Sequence, residues 1–147
     1  MPSYVLIAGI LFLLNILLLF LGHVYSRRKP RSRDRFDVEI LLRKTKHIFL
    51  NNVLAYLPLI VPYFGAGASL YIHFIVGRDA NLPHFKRIIR SPHTYMESLA
   101  AALIASSGIA LLECSWQPLI VQLLVALALL ALSAYIEAKE IEFKISS

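Results

Sequence analysis

Residues 91–108 read SPHTYMESLAAALIASSG, and this stretch decides how the chain folds. Pro92 suits the first turn of a helix, and every residue after Glu97 is small or apolar. Apolar sequence continues to about Leu112, which is long enough for a helix to cross the roughly 30 Å hydrocarbon core of a bilayer. The stretch therefore predicts a membrane-spanning helix over 92–112 that carries one carboxylate.

The whole chain has the composition of an integral membrane protein. Hydrophobic residues make up 58% of its 147 residues and charged residues 16%, with a mean hydropathy of +0.66. Nine of the 15 lysines and arginines lie between Arg27 and Lys46, and the apolar runs are nearly free of charge. The length suits one domain. The single Cys114 excludes an internal disulfide.

Four apolar stretches predict an all-α bundle of about four transmembrane helices in a single membrane domain. They cover residues 4–24, 48–76, 92–112 and 118–136. The first is too long for the apolar region of a signal peptide and has no small-residue cleavage site after it, so we expect an uncleaved anchor. The second contains Pro58 and Pro62, which interrupt helical hydrogen bonding and predict a bend or a break.

A basic segment at 26–47 separates the first two apolar stretches. The positive-inside rule places it in the cytoplasm and the N-terminus outside. Its first basic residues predict contacts with anionic lipid head groups; they are Arg27, Arg28, Lys29, Arg31, Arg33 and Arg35. No aromatic residue is interleaved with them, which argues against nucleic acid. Residues 36–49 have apolar and charged residues at helical spacing and predict an amphipathic interfacial helix.

Two arguments disagree on the side of the membrane where the polar loop at 77–91 lies. Its four basic residues favour the cytoplasm, whereas counting four crossings from the N-terminus places it outside. The side of the membrane on which this loop lies is therefore left open. Residues 83–90 within it predict a short interfacial helix.

Glu97 is the most informative polar residue. An acidic side chain at the centre of a transmembrane helix costs about 2.5–3.5 kcal/mol, but Glu97 lies only about 7.5 Å along the helix axis from Pro92 and hence near the interface. His93 lies four residues earlier on the same face. We expect a structural lock in which Glu97 bonds His93, Asn51 or Asn52. The alternatives are a contact with a partner helix and a proton or ion site.

Other polar and small residues complete the set of candidates. Asn51 and Asn52 stand where the second apolar stretch begins and can bond to another helix for about 1 kcal/mol. Glu137, near the end of the fourth stretch, is interpreted as a boundary residue. The residues expected to permit close helix packing are glycines, namely Gly65, Gly67 and Gly108. Because the third stretch is so rich in small residues, we expect it in the middle of the bundle or at a subunit interface.

The sequence gives little support for catalysis. An intramembrane hydrolase needs a nucleophile beside a base, and Ser98, although adjacent to Glu97, points about 100° away from it on a helix. His93 and Glu97 are two potential metal ligands, but no convincing third ligand accompanies them. We therefore expect no enzymatic activity, no cofactor and no metal site.

Five short motifs follow one another in a characteristic order. They are IFLNN at 48–52, GAGA at 65–68, HFIVGRDA at 73–80, PHTYMESLAAALIASSG at 92–108 and AYIEA at 134–138. Their order resembles the stage II sporulation protein M family over about residues 47–138. The family pattern has Asn-Gly in place of His73-Phe74 and Gly in place of Thr94. These departures indicate a remote, prokaryotic member outside the spore formers, with an archaeal source favoured.

The resemblance implies a membrane scaffold. The sporulation member is similar to a scaffold that recruits and organises cell-wall-degrading partners without being the hydrolase itself. We therefore predict a multi-pass scaffold or assembly subunit of a cell membrane, in contact with lipids and with other subunits or a second copy of itself. The competing prediction is a transporter or channel subunit that uses Glu97 and His93 as a proton or ion site.

Overall fold

The computed structural model describes residues 2–26 and 45–146, with residues 2 and 141–146 as backbone only. The helices are α1 (Pro2–Ser26), α2 (Thr45–Tyr56), a short 3-10 segment (Leu57–Ile60), α3 (Phe64–Asp79), α4 (Leu82–Arg90), α5 (Pro92–Leu112) and α6 (Trp116–Ser146). These described residues contain no strand, so the all-α prediction is confirmed. The basic residues 27–35, predicted to contact lipid, and most of the helix predicted at 36–49 lie outside the described residues.

Three helices are long and apolar enough to cross a membrane. They are Ser3–Ser26, Pro92–Leu112 and Trp116–Glu140. They correspond to the first, third and fourth apolar stretches of the sequence. Their length and composition support the prediction of a membrane protein.

The second apolar stretch, 48–76, is not a single helix. α2 passes into the 3-10 segment next to Pro58, the chain turns at Tyr63, whose φ is 58°, and α3 follows. Pro58 and Pro62 have no N–H to donate to a helix, so regular hydrogen bonding ends there. The break lies where these prolines predict it. Among the described helices it leaves three, rather than four, of membrane-spanning length.

α1 and α3 run side by side in the same direction. Asn15 of α1 accepts a hydrogen bond from Ser69 of α3 at 3.1 Å. Further along both helices, a Cβ built on Gly22 would lie 2.1 Å from the carbonyl oxygen of Phe74, so the two backbones are in direct contact. Gly77 makes the reciprocal approach from α3. α3 therefore ends at the same end of the molecule as α1.

α5 runs in the opposite direction through the centre of the bundle. Asn15 donates to the carbonyl oxygen of Ser98, and Leu11, one turn earlier on α1, packs near Ala102 and Ala105, one to two turns later on α5. The buried residues of α5 are mostly small: Ala100, Ala101, Ala102, Ala105, Ser106, Ser107, Gly108 and Ala110. The central position expected for this helix is therefore observed.

α2 enters the bundle beside the end of α6 and runs parallel to α5. Ile48 packs with Ala134 of α6, and a Cβ on Gly108 of α5 would lie 2.3 Å from the carbonyl oxygen of Ile60. The chain thus extends along α5 to its far part, and α3 then returns to the end of the bundle where α2 begins. Residues 45–79 form a helical hairpin, and both of its ends lie at the same end of the bundle.

The two ends of the bundle differ in charge. One end, here called the basic end, contains the ends of α1, α3 and α6, the starts of α2 and α5, and α4, which packs on α1 through Phe85. Every lysine and arginine with a described side chain lies there: Lys46, Arg78, Lys86, Arg87, Arg90 and Lys139. The opposite, far end holds the turn 113–115, where Tyr4 of α1 bonds both Glu113 and Ser115.

Candidate functional site

Glu97 lies where three helices meet. Its Oε1 accepts a hydrogen bond from Asn52 Nδ2 of α2 at 2.7 Å and another from Ser133 Oγ of α6 at 2.9 Å. A hydrogen bond to an ionised acceptor contributes about 1.5–3 kcal/mol, and one to a neutral acceptor contributes about 0.5–1.5 kcal/mol. Glu97 therefore ties α2 and α6 to the central helix α5. We call these three residues the Glu97 lock.

The structure shows which of the predicted hydrogen-bond partners Glu97 contacts. Asn52 is its partner, whereas Asn51 is exposed on the neighbouring face of α2. His93 shares a helix face with Glu97 but bonds Ser91 Oγ at 2.6 Å, and its Nδ1 lies 3.6 Å from Glu140 of α6. His93 does not bond Glu97, because Ser91 before α5 and Glu140 near the end of α6 are nearer partners.

A second polar cluster joins α1, α3 and α5. His73 Nδ1 lies 2.8 Å from the carbonyl oxygen of Ser69, and His73 Nε2 lies 2.8 Å from Ser98 Oγ. A carbonyl can only accept, so Nδ1 carries the proton, and in the neutral ring Nε2 accepts from the Ser98 hydroxyl. Ser69 in turn donates to Asn15, which donates to the Ser98 backbone. All four side chains are buried, and we call them the His73 cluster.

Parts of the His73 cluster leave signals in the sequence. Asn15 is a strongly polar residue inside an apolar span, and Ser69 and His73 are four residues apart on one helix face. Ser98 was seen to point away from Glu97, and it does so toward His73. The missing information was which helices lie next to one another.

Ser98→Ala is expected to lower the free energy of unfolding by about 1–2 kcal/mol, because His73 Nε2 would be buried without a donor. Ser106→Ala is the matched control on the same helix, since Ser106 Oγ bonds only the Leu103 carbonyl oxygen of its own helix, at 3.1 Å. Thermal unfolding of both variants in mild detergent measures the difference. Equal stability of the two variants would contradict a structural role of the cluster.

A cavity of about 290 Å³ lies between the Glu97 lock and the His73 cluster. Its polar lining includes His73, His93, Glu97, Ser98 and Glu137. Glu137, interpreted from the sequence as a boundary residue, thus faces the same space as Glu97. Most of the lining residues come from the basic-end halves of their helices, and Tyr56, the last residue of α2, also lines the cavity. Along α5 the cavity ends at Ser98, and the buried small residues beyond it fill the space.

Most of the side chains around the cavity that could act as metal ligands already form other contacts within the protein. Glu97 is occupied by Asn52 and Ser133, and His93 by Ser91 and Glu140. In the described part of the chain, no group of three or more His, Cys, Asp or Glu side chains is arranged to hold a metal ion.

The glycines predicted to permit close packing differ in their surroundings. A Cβ on Gly65 would lie 1.7 Å from a carbonyl oxygen of the 3-10 segment, and Gly108 approaches the same segment. Gly67 has nothing within 4 Å of its Cβ position, so the packing role predicted for it is not observed. Close contact between α1 and α3 is made instead by Gly22 and Gly77, which the sequence analysis did not single out.

No protein-family model matches the chain, and neither a curated protein nor a solved structure matches it. The resemblance to the stage II sporulation protein M family stays a prediction from the five motifs. Two of those motifs are in contact in the structure, through Asn52 of the first and Glu97 of the fourth.

Proposed function

We propose that this chain is a non-enzymatic scaffold or assembly subunit of a prokaryotic cell membrane, and a remote member of the stage II sporulation protein M family. The observation that supports this function is the internal pairing of two sets of polar residues, the Glu97 lock and the His73 cluster. Glu97 and the four residues of the His73 cluster all bond groups of this chain's own helices. Such internally paired polar groups stabilise one arrangement of helices, as a scaffold requires.

The cavity favours a scaffold over a transporter. A transported ion needs a water path to both sides of the membrane. The described cavity beside Glu97 extends from the basic end as far as Tyr56, the last residue of α2, and α5 beyond Ser98 is packed with small buried side chains. Glu97 itself is held by two donors from neighbouring helices. These features support a lock that joins helices.

We further propose three membrane crossings, by α1, α5 and α6, with the hairpin 45–79 entering from the cytoplasm and returning to it. Both ends of the hairpin lie at the basic end, as do the ends of α1 and α6. Non-helical backbone at membrane depth is tolerated where protein buries it. α5 covers one side of the 3-10 segment, where Leu59 is buried and Gly108 approaches Ile60, whereas Leu57 on the other side is exposed. This arrangement places all 15 lysines and arginines on one side, in agreement with the positive-inside rule.

The scaffold function is tested by purifying the tagged full-length chain from its own membranes in mild detergent and measuring its mass by native mass spectrometry. We expect a defined assembly with other membrane subunits or a homodimer. A monomer without companions would contradict the scaffold. Proton or ion flux through liposomes that contain the chain, above that of empty liposomes, would support the transporter alternative.

Glu97→Leu is expected to lower the free energy of unfolding by about 1–3 kcal/mol and to reduce recovery of partner subunits, because Asn52 and Ser133 would lose their shared acceptor. Glu97→Gln is the matched control, since its side-chain carbonyl keeps an acceptor in the same place. Thermal unfolding and native mass spectrometry compare the two. Normal stability and assembly of Glu97→Leu would contradict the lock. Equal failure of Glu97→Gln would show that the ionisable group itself is required.

A further inference from the structure

A groove of about 770 Å³ lies on the surface of the basic end, between α4 and the last part of α6. We call it the α4–α6 groove. It is lined by Lys86, Arg87 and Arg90 of α4 and by Tyr135, Ile136 and Lys139 of α6. None of these residues belongs to the Glu97 lock, although Arg87 also lines the cavity beside Glu97.

The groove is strongly cationic. Lys86, Arg87 and Arg90 are exposed and form no hydrogen bond or ion pair with any described residue. Glu140 is the acidic side chain in the lining, and it is already engaged by Ser91 and lies close to His93. Among the described side chains, no acidic partner therefore offsets the positive charge of Lys86, Arg87 and Arg90.

Helical spacing directs the cations to one face of α4. Arg90 is four residues from Lys86 and three from Arg87, so the three side chains lie within about 100° of arc on one side of the helix. The opposite side is apolar, and its Phe85 is buried in a cluster with Leu19 of α1. Such a helix lies in the plane of the membrane interface, with its cations at the level of the lipid head groups.

The wall supplied by α6 is amphipathic. Tyr135 is 54% exposed, and Ile136 is adjacent to it in the groove lining. Tyrosine is enriched at the boundary between head groups and hydrocarbon. The groove thus combines a cationic face with an apolar face that continues along a membrane-spanning helix. This combination fits a molecule with an anionic head and an apolar tail.

We propose that the α4–α6 groove binds the phosphate-bearing head group of an anionic phospholipid, with an acyl chain along Tyr135 and Ile136. Arg87 and Arg90 offer planar guanidinium groups that match the oxygens of a phosphate. Lys86 adds a third charge from α4. This proposal depends on the membrane placement of the chain and is independent of the scaffold function. Inorganic phosphate shares the head-group chemistry but has no chain for the apolar wall.

Cations in the last turn of α4 also stabilise the negative end of its helix dipole. That role alone involves no ligand and predicts no preference among lipids. Selectivity for an anionic lipid, lost when these cations are removed, therefore distinguishes a binding site from helix stabilisation.

The test is native mass spectrometry of the purified full-length chain with phosphatidylglycerol, with phosphatidylcholine of the same acyl chains, and with inorganic phosphate. Wild type is expected to retain phosphatidylglycerol over phosphatidylcholine by about tenfold or more, at about 1 kcal/mol per basic residue. The triple variant K86Q/R87Q/R90Q is expected to lose most of this preference. The variant K46Q, which removes one exposed cation of the basic end outside the groove, is expected to keep it.

Two results would overturn the proposal. A loss of preference in K46Q as large as that in R90Q would show that bulk charge alone attracts the lipid. Inorganic phosphate that binds as well as phosphatidylglycerol would show an anion site without a lipid. If the α4 triple variant does not fold, R90Q alone is expected to reduce the preference by about fivefold, and an unchanged preference in R90Q would also count against the site.

Discussion

Adding one methyl group at Gly77 is expected to separate α1 from α3 and to lower the free energy of unfolding by about 3 kcal/mol. Its Cβ would lie 1.9 Å from the carbonyl oxygen of Leu19 and 2.8 Å from the carbonyl carbon. Overpacking typically costs about 1–3 kcal/mol, and the upper value is expected because the opposing atoms belong to a helix backbone. Backbone atoms cannot rotate away as the end of a flexible side chain can.

Gly67→Ala is the matched control on the same helix. No atom lies within 4 Å of the Cβ position of Gly67, and alanine is favoured over glycine in a helix by about 1 kcal/mol. We therefore expect unchanged or slightly higher stability for Gly67→Ala. Size-exclusion chromatography after heating in mild detergent measures how much of each variant survives. A Gly77→Ala protein as stable as Gly67→Ala would show that the backbones of α1 and α3 are not in contact.

Cys114 is expected to react fully with a membrane-impermeant maleimide added outside intact cells. It is the one cysteine of the sequence, and it is exposed in the turn 113–115 at the far end. The proposed topology of three crossings and a hairpin places this turn outside. Four full crossings from the same starting side would place it in the cytoplasm, where the reagent does not reach. The expected difference is close to all or none.

Leu82→Cys in a Cys114→Ser background provides the reciprocal measurement. Leu82 begins α4 and is 45% exposed. A thiol there therefore reacts whenever the maleimide reaches its side of the membrane. We expect no labelling in intact cells and full labelling after the membrane is opened, because α4 lies at the basic end. If Leu82→Cys were labelled from outside and Cys114 of the parent protein were not, residues 45–79 would cross the membrane and would not return to the cytoplasm as a hairpin.

The sequence predicted those parts of the fold that depend on uninterrupted patterns. α1, α5 and α6 follow from long apolar runs, and α4 follows from the spacing within 83–90. The hairpin did not follow, because hydropathy measures the length of an apolar run and contains no information on its direction. Pro58 and Pro62 indicate that a helix ends between them, but the chain can continue onward or return. Contacts between distant residues, such as Gly22 with Phe74, determine the direction.

The same limit applies to the candidate site. Helical periodicity relates residues of one helix, so it paired Glu97 with His93. The observed partners of Glu97 come from other helices, and only Asn52 was among those considered. Ser133 lies in a leucine-rich stretch, where a single serine gives no sign of its partner. The sequence could thus predict that Glu97 forms a hydrogen-bonded structural lock, but it could not identify all the residues that form it.

The charge difference between the two ends of the bundle bears on how the membrane voltage acts during insertion. Moving one positive charge outward against a potential of 100 mV, negative inside, costs about 2.3 kcal/mol. A fourth crossing would move the loop 77–91, with four cations and the anion Asp79, outward at a net cost of about 7 kcal/mol. With the hairpin, the charged residue carried outward in the turn 113–115 is Glu113, and a potential that is negative inside favours the outward transfer of its negative charge. In an energised membrane, the voltage thus favours three crossings and a hairpin over four crossings.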